Sequence, residues 1–427
     1  MISIFNLNFQ QKMDLILEIN NFIDNQLITI SGSKSETNRL LILQALYPTL
    51  QIENESDADD SKVMKAALFS GTKNSEIDIH HAGTAMRFLT SYFASKPESD
   101  VVLTGSVRMK DRPIQILVDA LKQLDAAITY LDKEGFPPLH ISGKKISKNI
   151  VKIKADISSQ YISSLMLIAP SLPNGLEIQL EGEITSEPYI LMTLQILNTL
   201  GIEAKLEANS IKISPALQLT KNTFTIESDW SSASYFYSTI ALAPIGSRIS
   251  LRYFKKDSLQ GDAVLADIYE RFGVQTTFQP TQITLEKKSK PNCQTIELSL
   301  NNTPDLAQTI VVTCLGLGIT CNLTGLHTLK IKETDRLLAL KNELEKFGAT
   351  IDITTDAIHL KNKVDFTDAL INIHTYDDHR MAMAFAPLAF KQKLRIKNAE
   401  VVSKSYPCFW KDLKVIGLHF ETSLTIS

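Results

Sequence analysis

Apolar and polar positions along the chain repeat a unit: a strand-like run, a loop, an amphipathic helix, then a stop residue and another strand. One copy leads from Leu103-Thr104-Gly105 through Pro113-Ile114-Gln115 to Leu124-Asp125-Ala126-Ala127-Ile128. Within it Ile114, Leu117, Val118, Leu121 and Leu124 lie on one helical face, which predicts a helix with a single buried side. A second copy runs from Leu323-Thr324-Gly325 through Asp335-Arg336-Leu337 to Phe347-Gly348-Ala349-Thr350-Ile351. A third joins Leu180-Glu181-Gly182 through Pro188-Tyr189 to Leu200-Gly201-Ile202, and a fourth joins Gln260-Gly261-Asp262 to Phe272-Gly273-Val274. The residue after each helix is expected in the left-handed conformation that ends a helix, with Asp125 once standing in for glycine. Weaker copies end at Gly71 and Gly417. Six stops then mark six units of about seventy residues, a period too long for the common solenoids. A break near Thr225-Ile226-Glu227-Ser228 leaves three units on either side. The simplest arrangement is two similar α/β domains with a cleft between them, where binding sites commonly lie.

Composition narrows the class without naming a function. At 427 residues, 44% hydrophobic and 21% charged, the chain can build sizeable cores, and disorder is excluded. Its 44 Lys+Arg against 47 Asp+Glu leave a net charge of -3, so no basic coat for nucleic acid is expected. The four cysteines (Cys293, Cys314, Cys321, Cys408) lack metal-ligand spacing, and Cys314 and Cys321 lie in an apolar stretch that reads as core. The first residues carry no basic segment followed by an apolar run. No window approaches the ~18 uninterrupted apolar residues of a membrane span. These features predict a reduced, soluble, cytoplasmic protein.

Candidate chemistry lies at helix starts. Ser31-Gly32-Ser33-Lys34-Ser35 precedes the run containing Arg39, and Ala82-Gly83-Thr84-Ala85-Met86 places Arg87 about one turn into a helix. Small residues and free N–H groups at such starts suit an anion, although a plain capped helix has the same look. The spacing of a nucleotide P-loop is absent. Ser158-Ser159-Gln160 and Ser231-Ser232-Ala233-Ser234 also open apolar helices, as caps or as phosphate ligands. Arg108-Met109-Lys110-Asp111-Arg112-Pro113 sets three cations before a helix, against its dipole, which hints at a ligand. In Lys332-Glu333-Thr334-Asp335-Arg336, a carboxylate between two cations at a helix start would be ionised when empty. An arriving dianion would offset that field and lift its pKa into a useful range. Asp378 and His379 lack a third metal ligand and are expected to orient Arg380, while Lys404 completes the cations.

Taken in order, GSKSETNR, AGTAMR, RMKDRPI, SSQYISSLMLIAP, SEPYI, SDWSSASYF, QGDAVLADI, TPDLAQTI, IKETDRL, TYDDHRMAMAF and SKSYP resemble the motifs of the 3-phosphoshikimate 1-carboxyvinyltransferase (EPSP synthase) family, from about Ser31 to Pro407. The resemblance implies two inside-out α/β barrel domains, each of three βαβαββ units with the cleft between them. Residues 32–227 would form the first domain, and residues 1–31 plus 228–427 the second. It implies transfer of the enolpyruvyl group of phosphoenolpyruvate to the 5-hydroxyl of shikimate 3-phosphate. Phosphate is released, with no organic cofactor or metal, and neither nucleic acid nor membrane is a partner. A monomer is expected.

Carried over residue by residue, Lys34, Ser35, Arg39, Ser158, Ser159, Gln160, Ser186, Asp305, Thr328 and Lys332 match shikimate-phosphate positions, with Tyr189 packed against that substrate. Lys34, Gly83, Arg112, Gln160, Arg336, Arg380 and Lys404 match phosphoenolpyruvate positions. Asp305 resembles the base and Glu333 the proton donor, assisted by Lys332 and Lys34. The chain departs from the family at Ser31, His81, Phe88, Ser228 and Trp230, and at Thr328, where asparagine is usual. A related transferase acting on UDP-N-acetylglucosamine usually carries a cysteine in the loop that here reads Ser106 to Pro113, and this loop has none. The intact charged residues weigh against a non-catalytic anion-binding paralogue.

Overall fold

The computed structural model describes residues 12–19, 22–69 and 73–425. Five four-stranded sheets and one two-stranded sheet account for the described strands. All five larger sheets share one plan, seen first in Lys73–Asp78, Asp100–Thr104, Leu139–Ser142 and Ala127–Tyr130. The first two strands are parallel, and the last two continue antiparallel, so spatial order departs from chain order. The plan recurs in Ile150–Lys154 with Leu176–Glu181, Ser210–Ile213 and Ala204–Glu207. It recurs again in Thr295–Ser299 with Thr320–Thr324, Ile358–Leu360 and Ile351–Ile353.

The stop residue sits just before the third strand of each unit. Asp125, Gly201, Gly273, Gly348 and Gly417 all have positive φ, between 66° and 98°. A backbone N–H at each returns to the helix end, closing carbonyls that would otherwise be orphaned. The expected stop at Gly71 lies outside the described residues.

Two of the larger sheets, like the two-stranded pairing of Gln51–Glu53 with Thr223–Thr225, are assembled from distant parts of the chain. Gln26–Ile28 runs parallel to Arg248–Arg252. Lys12–Ile19 is the inner strand between Leu394–Ile396 and Leu418–Thr425. The buried apolar residues accordingly form two clusters, one from Leu40 to Ile226 and one from Leu15 to Ile30 with Trp230 to Leu418. The chain passes between them near Gly32 and Ser228, which face each other across an antiparallel bridge. A Cβ on Gly32 would come 1.8 Å from the Asn54 carbonyl oxygen, so no side chain fits that crossing.

Each core is built on three helices that pack on one another inside the sheets. In the first they are Lys34–Leu46, Gly83–Ser95 and Ser159–Ile168. In the second they are Trp230–Leu242, Ala307–Leu317 and His379–Phe385. These helices are buried nearly all round, so their apolar positions lack the one-sided stripe of a surface helix. Cys314 and Cys321 are buried free thiols, as their surroundings predict. Among the described residues no helix is long and apolar enough to cross a membrane.

Candidate active site

The central helices of both cores start at the same cleft. Lys34, Ser35, Gly83, Thr84, Ser158 and Ser159 line it from the first core. Asp229, Ser231, Pro304, Asp305, His379 and Arg380 line it from the starts of the helices in the second. Six helix N-termini thus bring free N–H groups and the positive ends of their dipoles towards one space. Local sequence sets four of these starts: Ser33, Ser158, Asp229 and Asp378 cap their helices through side-chain oxygens. The cap before Ser231 is therefore Asp229, and the serines at 231 and 232 are not the capping groups.

The first-core wall is cationic and sparsely neutralised. Arg112, 9% exposed, makes no side-chain hydrogen bond or ion pair among the described residues, and its Nε is buried without a partner. Its guanidinium lies over Gly83, where an added Cβ would be 2.6 Å from Nη1. Burial, with Arg87 nearby, lowers its pKa to about 10, still far above neutrality. Among the described residues Arg87 donates only to the Gly83 and Pro113 carbonyls and to the Met109 sulfur. Lys34 has one acid, Asp60, at 3.3 Å. A buried cation with no counter-ion is costly, and an anion placed there removes that cost. Arg39 differs, because it donates to Thr193, Ser163, Ser35 and Tyr189 and is held by the protein itself. Ser186 enters the cleft wall with φ 56°, a strained conformation for a side chain other than glycine.

The second-core wall alternates charges. Arg336 is 2% exposed and meets three carboxylates: Asp378 at 2.6 Å, Asp305 at 2.8 Å and Glu333 at 2.9 Å. Asp305 also takes Arg380 at 3.1 Å and Lys332 at 3.5 Å. Burial alone would raise the Asp305 carboxyl, but Arg380, Lys332 and Arg336 overcome it and hold the group well below the usual carboxylate range. Glu333 behaves alike: burial raises it, while Arg336, Arg112 and Lys332 drive it lower. Both carboxylates are ionised in the unliganded cleft. The Thr328 hydroxyl is buried, lines the cleft and has no partner. Both ring nitrogens of His379 are likewise buried and unpartnered, and burial with the nearby Lys34 charge keeps that ring neutral.

The cleft brings together fifteen of the sixteen expected site residues: Lys34, Ser35, Arg39, Gly83, Arg112, Ser158, Ser159, Gln160, Ser186, Asp305, Thr328, Lys332, Glu333, Arg336 and Arg380. Lys404 is not part of its wall and donates to the Asp377 carbonyl at 2.6 Å, although its neighbour Ser405 lines the cleft. Two expectations need correction. Asp378 orients Arg336 through its side chain, and it meets Arg380 only through the backbone N–H that it caps. His379 shows no hydrogen bond to Arg380. Lys332 and Glu333 lie ahead of the helix Arg336–Leu344, whose cap is Asp335, so no helical turn holds them together. Ser231, a candidate phosphate ligand, also lines the cleft, and so do Asp60, Thr84 and Asp229, which were not among the expected ligands. No group of three His, Cys, Asp or Glu among the described residues is placed to hold a metal ion.

The lineage of this cleft is clear. Residues 48–413 match the family model described as EPSP synthase (3-phosphoshikimate 1-carboxyvinyltransferase). A 3-phosphoshikimate 1-carboxyvinyltransferase of Bacteroides fragilis (strain YCH46) is 45% identical over 395 residues, covering 91% of this chain and 95% of its own. One from Haemophilus influenzae (strain PittEE) is 35% identical over 427 residues, covering 92% and 96%. The solved structure of EPSP synthase from Acinetobacter baumannii superposes with a TM-score of 0.78 over 96% of this chain and 100% of that one. At 20% identity, that likeness speaks for the fold.

Proposed function

The chain belongs to the EPSP synthase family, and on that premise we propose that its cleft transfers the enolpyruvyl group of phosphoenolpyruvate to the 5-hydroxyl of shikimate 3-phosphate, releasing phosphate. The observation that carries this reading is the pairing of two unlike walls. Arg87 and Arg112, which form no ion pair among the described residues, face the ionised Asp305 and Glu333, with helix N-termini on both sides. Cations and N–H groups suit two substrates that each carry a phosphate and a carboxylate. Carboxylates opposite them suit proton transfer.

The roles follow from charge and position. Ser35, Ser158, Ser159, Ser186 and the unpartnered Thr328 hydroxyl take shikimate 3-phosphate, with Tyr189 beside its ring and Arg39 holding Tyr189 and Ser163 in place. Lys34 and Gln160 lie between the two substrates. Gly83, Arg112, Arg336 and Arg380 take the phosphate and carboxylate of phosphoenolpyruvate, and Lys404 joins them by a side-chain swing away from Asp377.

Glu333 protonates the methylene carbon, which makes C2 electrophilic. The 5-hydroxyl attacks C2 as its proton passes to Asp305. The tetrahedral adduct then loses phosphate from C2 while the new methyl group returns a proton to Glu333, which restores the carbon–carbon double bond as an enol ether. The empty cleft holds both carboxyls too acidic for this work. Substrate anions draw Arg336, Arg380, Lys332 and Arg112 to themselves, and that release lifts both carboxyls towards working range. Lys332 keeps the developing charges balanced.

The architecture supports two domains, residues 32–227 and residues 1–31 with 228–427, that close on the substrates. The Arg108 guanidinium already spans the cleft to the Lys332 carbonyl at 3.3 Å. Closure would exclude water from the protonated intermediate. The enzyme works as a cytoplasmic monomer in the route to aromatic amino acids. The test is phosphate release on mixing shikimate 3-phosphate with phosphoenolpyruvate, run beside UDP-N-acetylglucosamine as acceptor. Release with the first acceptor alone is expected, and release only with the second would overturn the reading.

A further inference from the structure

Asp262 is a buried acid outside the cleft wall, 4% exposed, in the short turn Gly261–Val264. Its Oδ2 accepts a hydrogen bond from the Ser231 hydroxyl. Ser231 in turn lies 3.4 Å from Nη2 of Arg380, the same nitrogen that reaches Asp305 Oδ2 at 3.1 Å. A serine hydroxyl has one proton. Spent on Asp262, that proton leaves only lone pairs facing the guanidinium, so Ser231 is fixed as an acceptor for Arg380. The turn itself is seated firmly. Gln260 donates to Glu36 and to the Ser228 carbonyl, and a Cβ on Gly261 would meet Pro188 at 2.7 Å.

We infer that Asp262 is a positioning residue, which acts through Ser231 to hold Arg380 between Asp305 and incoming phosphoenolpyruvate. Nη1 of Arg380 is held by the Tyr235 hydroxyl and the Asp305 carbonyl, so without Asp262 it is Nη2 that loses its anchor besides Asp305 Oδ2 and leans on that carboxylate, away from the substrate and against the freeing of the base. This inference rests on the enolpyruvyl-transfer reading of the cleft. The groups facing Asp262 are Ser231 and Asp229 from one helix start, Asp305 and Arg380 from two others, and Tyr189 from the opposite core. Burial is the main cause that raises its carboxyl to about 6, with Asp305 and Asp229 adding to it against Ser231 and Arg380. The relay therefore titrates: above that pH the acid is ionised and Ser231 is held, and below it the acid takes up a proton and the hold is lost.

The experiment compares wild type, Asp262→Asn and Ser231→Ala by steady-state kinetics, together with calorimetric phosphoenolpyruvate binding, which does not depend on turnover. Expected in both variants is a KM for phosphoenolpyruvate raised about tenfold, with kcat changed less than about twofold and the shikimate 3-phosphate KM unmoved. The wild-type to Asp262→Asn ratio of kcat/KM should shrink towards one as pH falls through about 6, and substrate ionisation cancels in that ratio. Asp262→Glu should recover part of the loss. If Asp262→Asn does not fold, the Ser231→Ala split decides. A pH-independent ratio, an equal rise in both KM values, or unchanged phosphoenolpyruvate affinity in Ser231→Ala overturns the inference. Absence of wild-type turnover would fall on the proposed reaction, and the binding comparison would still decide the role of Asp262.

Discussion

Replacing Glu36 with glutamine should stabilise the protein, and by more as the pH rises. Glu36 belongs to the helix Lys34–Leu46, is 2% exposed, and accepts Gln260 Nε2 at 2.9 Å. Burial and the nearby Glu227 carboxylate raise its pKa from 4.5 to about 8, against smaller opposing effects of Gln260 and Lys255. In the unfolded chain the group ionises near its ordinary value, whereas in the folded protein it stays protonated to about pH 8. Folding therefore takes up a proton across this window, and stability falls as pH climbs through it. Each pH unit above 4.5 costs about 1.4 kcal/mol, which amounts to about 3 kcal/mol at pH 7 and levels off near 5 kcal/mol beyond pH 8. Glutamine keeps the oxygen that Gln260 needs and has no proton to lose. The assay is urea unfolding at about pH 5.5, 6.5 and 7.5, followed by tryptophan emission. Trp230 reports well because its Nε1 donates to Glu227 at 2.8 Å in the same buried cluster. A variant-minus-wild-type difference that stays flat across this range would refute the buried-acid argument.

The catalytic pair comes next: Asp305→Ala and Glu333→Gln should each lower kcat by about a hundredfold or more while circular dichroism shows a folded protein. Near-full turnover in either would reject that residue's role. Gly83→Ala puts a methyl group against Arg112, so the KM for phosphoenolpyruvate should rise about tenfold while that for shikimate 3-phosphate holds. An unchanged ratio of the two constants would mean that Arg112 does not bind phosphoenolpyruvate. Asp378→Asn removes one charge from the buried Arg336 and should cost about 2–4 kcal/mol in denaturant unfolding. A loss within error would mean that Asp305 and Glu333 suffice to hold the guanidinium.

Features set by local rules were legible in the sequence. A helix end needs a residue that tolerates positive φ, so Asp125 stood out beside Gly201, Gly273, Gly348 and Gly417, and all five adopt it. The charged motifs at helix starts were legible for a related reason: cations at the positive end of a dipole are out of place unless a ligand compensates them. Residues whose chemistry is ordinary at their own position were not legible. Asp60, in the first turn of Asp59–Phe69, looks like any acid favouring a helix start, and only the fold brings it to Lys34. Asp378 adjoins Arg380 in sequence, yet the helix leads that side chain away and Arg336 arrives from 42 residues distant. Asp262 belongs to a recognisable segment, but its bond to Ser231 spans 31 residues and has no local signature.

The inner position of Lys12–Ile19 bears on how the protein is made. This strand leaves the ribosome long before one of its partners, Leu418–Thr425. The core from Leu40 to Ile226 can consolidate while synthesis continues. The other core must hold an unpaired, partly apolar strand until Leu418–Thr425 has been made, exposed to mispairing until that strand closes the sheet. Lys12–Ile19 and Leu418–Thr425 therefore act together as the clasp of the second core, and a chain cut short before Leu418 has one finished half and one that cannot close.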